Sequence, residues 1–339
     1  MNARAHKGLT MVELMVAMSI GAFLIAGATQ VYINCKKAYD IYQTSARLQE
    51  TARYAMSLIE PDVRLANYYG FLKGGGLVAG STPQTGSVQN ALAGTSATMC
   101  GNNFSVDLAT DIEGSNDNYP FACGAFNGRP VLSADTLTIR RASTVASALA
   151  AGTTGPLRVC STRVSGQLVN NAAACIVAPI GIVADLLVHA YYVDRDSATQ
   201  ANMPSLHQWT LNQAVAPALV AFNDIEIVSG IEDLQVQFGI DPTGNTGVAT
   251  QYVDPFGPAA MPPGAQIVAV RIWLLVMSDS IDVGYTDPTT YQYGNRSTAN
   301  GTTANLSAAG AAGLAYAPAD NRRRLLVSRT IMLRNSLGT

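Results

Sequence analysis

The chain begins with its longest apolar stretch. From Leu9 to Ile33 the one formally charged residue is Glu13. A run of this length can cross a bilayer, for which about 20 residues suffice. A short basic leader, Arg4 to Lys7, precedes it and ends at Gly8. From Lys36 to Ile59 polar residues dominate, yet Ala38, Ile41, Ser45, Leu48, Ala52, Ala55 and Ile59 recur at gaps of three and four. Those gaps mark one face of a helix. No proline falls between Leu9 and Glu60. The pattern therefore predicts one continuous helix, about 75 Å long at roughly 1.5 Å per residue. Its first half belongs in lipid and its second half on a globular domain. Pro61 cannot donate to the Ser57 carbonyl and disfavours helix at Glu60. A break or kink is expected there, with a short continuation from Asp62 to Ala66.

Downstream, Gly70 to Thr98 is rich in Gly, Ser, Thr and Gln, with Gly74-Gly75-Gly76 near its start. It reads as loop. A phosphate-cradling role would need a following Lys-Ser/Thr in a strand–helix context, and neither is present. Strand signals then dominate. Thr136 to Arg141 alternates, and Ile180 to Val193 holds an apolar run ending in Tyr191-Tyr192-Val193. Leu234, Val236, Phe238 and Ile240 share one face of a strand. Ile267 to Met277 is apolar on both faces except at Arg271, as suits a central strand covered on both sides. Leu325, Val327, Ile331 and Leu333 give a last strand. Between these two, Thr286 to Asn321 is rich in Gly, Ala, Thr and Asn with almost no charge. It is expected to be an irregular, mobile excursion. No internal repeat is evident.

Composition narrows the classes. The 339 residues carry a formal charge of −2, and only 13% are charged. Loss of Arg4 and Lys7 with the leader would take the charge from −2 to −4. No strongly basic balance points to nucleic acid. Past the apolar segment about 300 residues remain, enough for one large domain or two small ones. Cys35 sits where the first helix would leave the membrane. Cys100, Cys123, Cys160 and Cys175 pair most simply as sequence neighbours, although three connectivities are open. Disulfides are expected in a periplasmic setting, worth roughly 3 kcal/mol each in the chain-entropy model. Zinc is the weaker alternative: no Cys-x-x-Cys occurs, and the internal histidines are His189 and His207.

The leader has two ordinary explanations. A signal anchor would hold Arg4 and Lys7 in the cytoplasm, with Glu13 reaching the near interface. A secretory signal peptide would have its core at Leu14 to Ile25, its cleavage site at Ala26-Gly27-Ala28 and its mature start at Thr29. Neither accounts for a carboxylate at the head of the apolar core. That group costs roughly 2.5–3.5 kcal/mol near the bilayer centre, and less near an end, so it calls for a partner. Gly8-Leu9-Thr10-Met11-Val12-Glu13 resembles the cleavage site of type IV prepilins.

The likeness extends further. Leu48-Gln49-Glu50-Thr51-Ala52-Arg53-Tyr54-Ala55 and then Asp62-Val63-Arg64-Leu65-Ala66-Asn67-Tyr68-Tyr69-Gly70 resemble the helix end of PilW-type minor pilins. So do Ile231 to Asp241, Val270-Arg271-Ile272-Trp273-Leu274-Leu275-Val276, and the ending from Arg322-Arg323-Arg324 to Leu333-Arg334-Asn335. The resemblance is weakest from Leu72 to Pro130 and from Thr286 to Asn321. It departs from the family at Phe71, where such chains often carry a cysteine, and at Pro61, usually a helix former. Gly21 and Gly27 stand in the apolar helix where many major pilins have a proline.

This resemblance implies an α+β fold, a long N-terminal helix packed on an antiparallel β-sheet domain. It divides the chain into a leader (residues 1–8), a transmembrane helix (9–33), an amphipathic extension (34–66) and a periplasmic or extracellular β-rich domain (67–339). It implies cleavage after Gly8 by a prepilin peptidase, N-methylation of Leu9, and an assembly role for Glu13 facing a neighbour's N-terminus. It also implies a structural role in a tip or priming complex. The implied partners are other minor pilins, the major pilin, the inner-membrane assembly platform and a large tip adhesin. Motility, adhesion and DNA uptake would belong to the assembled pilus. No cofactor and no direct nucleic-acid contact are implied. The J-type minor pseudopilin of type II secretion shares this plan. A secreted or anchored binding domain is the alternative of another class.

Enzyme signals are weak. His189 lies on an apolar strand, and His207 falls in an expected loop after Pro204. There is no HExxH, no P-loop and no Gly-x-Ser-x-Gly. Asp185, Asp194 and Asp196 do not make an EF-hand pattern, and Asp241-Pro-Thr-Gly-Asn245 has too few acids for calcium. Arg322-Arg323-Arg324 reads as a solvated strand entrance in preference to a DNA or lipid contact.

Overall fold

The computed structural model describes residues 10–72, 74–81, 100–101, 104–147, 154–171, 181–212, 221–244, 246–256, 261–296, 303–304 and 313–335. The chain divides into two compact units, Met1–Arg47 and Leu48–Thr339. Helix α1 runs from Met11 to Arg64, 54 residues. By length and composition it can cross a membrane.

In the first unit the apolar side chains of α1 are open; Met11 is 83% and Phe23 81% exposed. The polar groups of this stretch are turned back on the helix. Ser19 Oγ donates to the Val16 carbonyl and Thr29 Oγ1 to that of Ile25. Such internal pairing is what a segment facing lipid requires.

In the second unit the helical stripe is realised from Leu48 onward. Leu48, Ala52, Ala55, Met56, Ile59 and Val63 are buried. They share a core with Leu137, Ile139, Leu234, Val236, Phe238, Val270, Ile272 and Leu274. The helix continues through Pro61 and ends at Arg64. Ser57 and Pro61 are both exposed, so the carbonyl that proline leaves unpaired faces water, and the helix is not broken there. Asn67, at φ 63°, takes the left-handed conformation that ends the turn. The C-terminal segment then caps the helix: Arg334 N donates to the Arg64 carbonyl and Asn335 Nδ2 to that of Ala66.

The strands are β1 (Val78–Ala79), β2 (Ile112–Ser115), β3 (Thr136–Ala146), β4 (Thr154–Ser161), β5 (Gly166–Asn171), β6 (Ile182–Asp194) and β7 (Ser205–Leu211). There follow β8 (Phe222–Ser229), β9 (Ile231–Asp241), β10 (Gln251–Val253), β11 (Gln266–Met277), β12 (Thr303–Ala304), β13 (Ala315–Tyr316) and β14 (Arg324–Met332). Among the described residues they form three sheets. The largest has the order β1-β5-β4-β6-β3-β2, with β7 on β6 and β8 on β7; the second runs β10-β9-β11-β14; β12 and β13 pair apart. Pairing is antiparallel except at β1–β5 and β12–β13.

Strand β6 shows why its sequence lacks clean alternation. Tyr191 and Val193 enter the core that holds α1, whereas Val188, Ala190 and Tyr192 face a second core with Tyr69, Trp209 and Phe222. Both faces are buried. Strand β11 is central, as its pattern predicts, but its outer face is covered only in part. Tyr291, Tyr293 and Tyr316 close over Leu275, while Arg271 lies 3.8 Å from the ring centre of half-buried Tyr252. Those tyrosines come from the segment expected to be a loose excursion. At its described ends it is tied down. Arg296 and Asp233, both fully buried, form an ion pair, and Tyr293 Oη donates to Asp233 at 2.6 Å. In the glycine-rich loop, a Cβ on Gly75 would sit 1.8 Å from the Leu108 carbonyl oxygen, so only glycine fits.

Candidate functional site

Two groups of residues on α1 carry the functional reading. The first begins the helix. Thr10 N and Thr10 Oγ1 both donate to Glu13 Oε2, at 3.0 and 3.1 Å, and Glu13 N donates to Thr10 Oγ1 at 3.2 Å. This is a reciprocal capping box, which satisfies otherwise unpaired backbone donors of the first turn. The Thr-x-x-Glu spacing was readable in the sequence as a helix start. Glu13 thus has a partner within its own chain. Gly8 and Leu9 lie outside the described residues.

The second group is Asp62 and its partners, which sequence reasoning missed. Asp62 is buried on the last turn of α1. Arg141 of β3 donates to its Oδ1 through Nε at 3.0 Å and Nη2 at 2.6 Å. His189 Nδ1 and Tyr191 Oη of β6 each lie 2.5 Å from its Oδ2. Burial pushes the carboxyl up, but the His189 hydrogen bond and charge, Arg141 and the Tyr191 hydroxyl outweigh it and hold it at about 2. One carboxylate thereby ties the helix end to two strands. An acid on the last helical turn, directly before the apolar Val63, with Arg and His on candidate strands, was the available signal. Nothing in linear spacing paired them.

Cys100 and Cys123 are joined in a disulfide. Cys160 is also disulfide-bonded, and Cys175 lies outside the described residues. Cys35 is free and exposed.

His207 belongs to β7, not to a loop. Its Nε2 is 2.9 Å from Ser205 Oγ and its Nδ1 is 3.0 Å from Asp224 Oδ1. The order matches that of a hydrolytic Ser-His-Asp triad. However, Ser205 is fully buried, His207 is 1% exposed, and the serine hydroxyl donates to the Asp196 carbonyl at 2.6 Å. A nucleophile needs a reachable hydroxyl whose proton the base can take. Here the proton is engaged elsewhere and the site is enclosed, so the three residues act as a packed polar network. Asp241 Oδ2 accepts from Thr246 N, Thr246 Oγ1 and Gly247 N, and Oδ1 from Thr243. The loop is a self-satisfied turn. Among the described residues no group of three or more His, Cys, Asp or Glu could hold a metal.

The arginine run is half-buried and paired. Arg322 Nη1 donates to the carbonyls of Ser278 and Asp279, Arg323 pairs with Asp282, and buried Arg324 pairs with Glu232 and Asp320. Only Arg324 has a fully buried side chain; Arg322 and Arg323 are half-buried.

Two family models match. Residues 190–335 match Type IV Pilus-assembly protein W, and residues 3–29 match the prokaryotic N-terminal methylation motif. No curated protein matches the chain. A type IV-like pilin from Thermus thermophilus is similar at 15% identity over 60% of this chain and 81% of that chain, with a TM-score of 0.26. One long apolar N-terminal helix followed by largely antiparallel sheets, with a methylation motif at its head, is consistent with a type IV pilin plan. The match over residues 190–335 carries this further and supports a PilW-type minor pilin.

Proposed function

We propose that this chain is processed by a prepilin peptidase between Gly8 and Leu9, N-methylated on Leu9, and assembled with other minor pilins in a complex that primes type IV pilus growth. The observation that carries the reading is the contrast along one helix. In the first unit α1 presents unpartnered apolar side chains headed by Glu13. In the second its polar half is fixed by a buried stripe and by Asp62. Such a helix can first hold the subunit in the inner membrane and later pack against neighbouring helices. Residues 9–33 would span the bilayer, residues 34–66 extend the helix, and residues 67–339 lie in the periplasm until incorporation. The major pilin, the assembly platform and a tip adhesin would be its further partners. Twitching, adhesion and DNA uptake would be activities of the assembled filament.

Mass spectrometry of the N-terminal peptide from sheared pili tests this. N-methylated Leu9 is expected. A start at Thr29, or absence from pili with Met1 retained in the membrane, would remove the reading. Gly8→Val is expected to leave uncleaved precursor in the membrane, because a pocket that accepts only hydrogen excludes a side chain.

A further inference from the structure

At one end of the second unit, where β6 and β11 finish and β9 and β14 begin, lies a groove of about 420 Å³. Its walls include Arg129, Arg195, Asn202, Glu232, Asp320 and Arg322. The hydrogen-bonding capacity there is one-sided. The two wall carboxylates are taken by Arg324, which reaches Glu232 Oε2 at 2.5 Å and Asp320 Oδ1 and Oδ2 at 2.6 and 2.8 Å. Tyr316 Oη also donates to Glu232, at 2.6 Å. The donors are left over. Arg129 uses Nη1 on Asp196 and Asn202. Arg322 uses Nη1 on two carbonyls, and its backbone N–H donates to Asp320 Oδ1 at 3.1 Å. Arg195 Nε is buried and meets no acceptor among the described residues. A buried guanidinium donor without an acceptor is costly and calls for an explanation.

We infer that this groove is an oxyanion site that takes a carboxylate or phosphate group, held by the guanidinium groups of Arg195 and Arg322 with Arg129 at the rim. The planar fork of arginine suits such a group, and the volume suits a small ligand or a single acidic side chain.

The test uses the full chain in detergent and isothermal titration with trisodium citrate, inorganic phosphate and a doubly blocked glutamate peptide, against sodium chloride at matched ionic strength. Saturable binding is expected, weakened about tenfold or more by Arg195→Gln and by Arg322→Gln, and unchanged by Arg163→Gln on an exposed turn. Arg195→Lys keeps the stem and the charge but loses the fork, and is expected to bind at an intermediate level while melting like the native chain. Binding of citrate or phosphate identifies a free small anion; binding of the peptide alone identifies an acidic side chain from another chain. No saturable binding of any probe, or equal binding by Arg195→Gln, overturns the assignment.

Discussion

Asp62 shows how much one residue can decide. It is a charged group in the core, and its three partners come from strands about 80 and 130 residues away in sequence. Breaking a buried pair leaves its partners uncompensated and costs about 3–5 kcal/mol. Asp62→Asn keeps the shape but loses the charge, so it is expected to lower unfolding free energy by about 3 kcal/mol in a urea titration at pH 7. The pH dependence has a definite sign. The folded carboxyl sits at about 2, below its ordinary 3.8. Its stabilisation is therefore present above pH 3.8 and is lost as pH falls toward 2. The difference is worth about 2 kcal/mol. The gap between native and Asp62→Asn protein should be flat from pH 7 to 5 and close below pH 4. Asp111 runs the other way: burial raises it to about 6, so its ionised form costs stability at neutral pH, and acidification through 6 relieves that cost. Measured stability of the native chain should thus rise slightly from pH 7 to 5 before Asp62 fails. None of this was legible in linear sequence, because burial of a polar group is decided by which strands meet it.

Elements were more legible than residues. The 3.6-residue stripe predicted the buried face of α1 from Leu48 to Ile59, although its first members Ala38 and Ile41 are exposed, and the two-sided apolar run predicted that β11 is a central strand. The errors share one cause, which is the environment on the far side of an element. Pro61 removes one helical hydrogen bond, and here the side that loses it is exposed, so water can take the bond while the helix runs on. The described ends of the low-charge insertion are anchored by tyrosines and one arginine that find β9 and β11 only in three dimensions, while residues 297–302 and 305–312 lie outside the described residues. The helix end depends on residues nearly 270 positions later, since Asn335 Nδ2 bonds to the Ala66 carbonyl over a separation of 269 residues. Asn335→Ala is expected to cost about 1 kcal/mol by removing that bond. Hydrogen exchange should then speed up at the last turn of α1 and not in β6. Pro61→Ala works in the opposite direction. Alanine restores an N–H and a favourable helix propensity, partly offset by the looser unfolded chain, and a net gain of about 1 kcal/mol is expected in the same urea titration.

At the scale of the whole molecule, one carboxylate is asked to do two things. Within its own chain Glu13 closes a capping box with Thr10. In the proposed filament it would face the charged amine of a neighbour's Leu9, where a matched pair is tolerable in low dielectric and a lone charge is not. The two roles make different demands on the side chain. A capping box accepts glutamine as well as glutamate, because only an acceptor oxygen is needed, whereas pairing with an amine needs the negative charge. Glu13→Ala removes both roles and Glu13→Gln removes only the second. Both variants are expected to be cleaved after Gly8, since the acid lies beyond the scissile bond. If charge pairing drives incorporation, both should be depleted from sheared pili while mature protein accumulates in the membrane. Pili containing Glu13→Gln at native levels, with Glu13→Ala absent from them, would instead assign the residue to helix initiation and leave subunit order to other contacts.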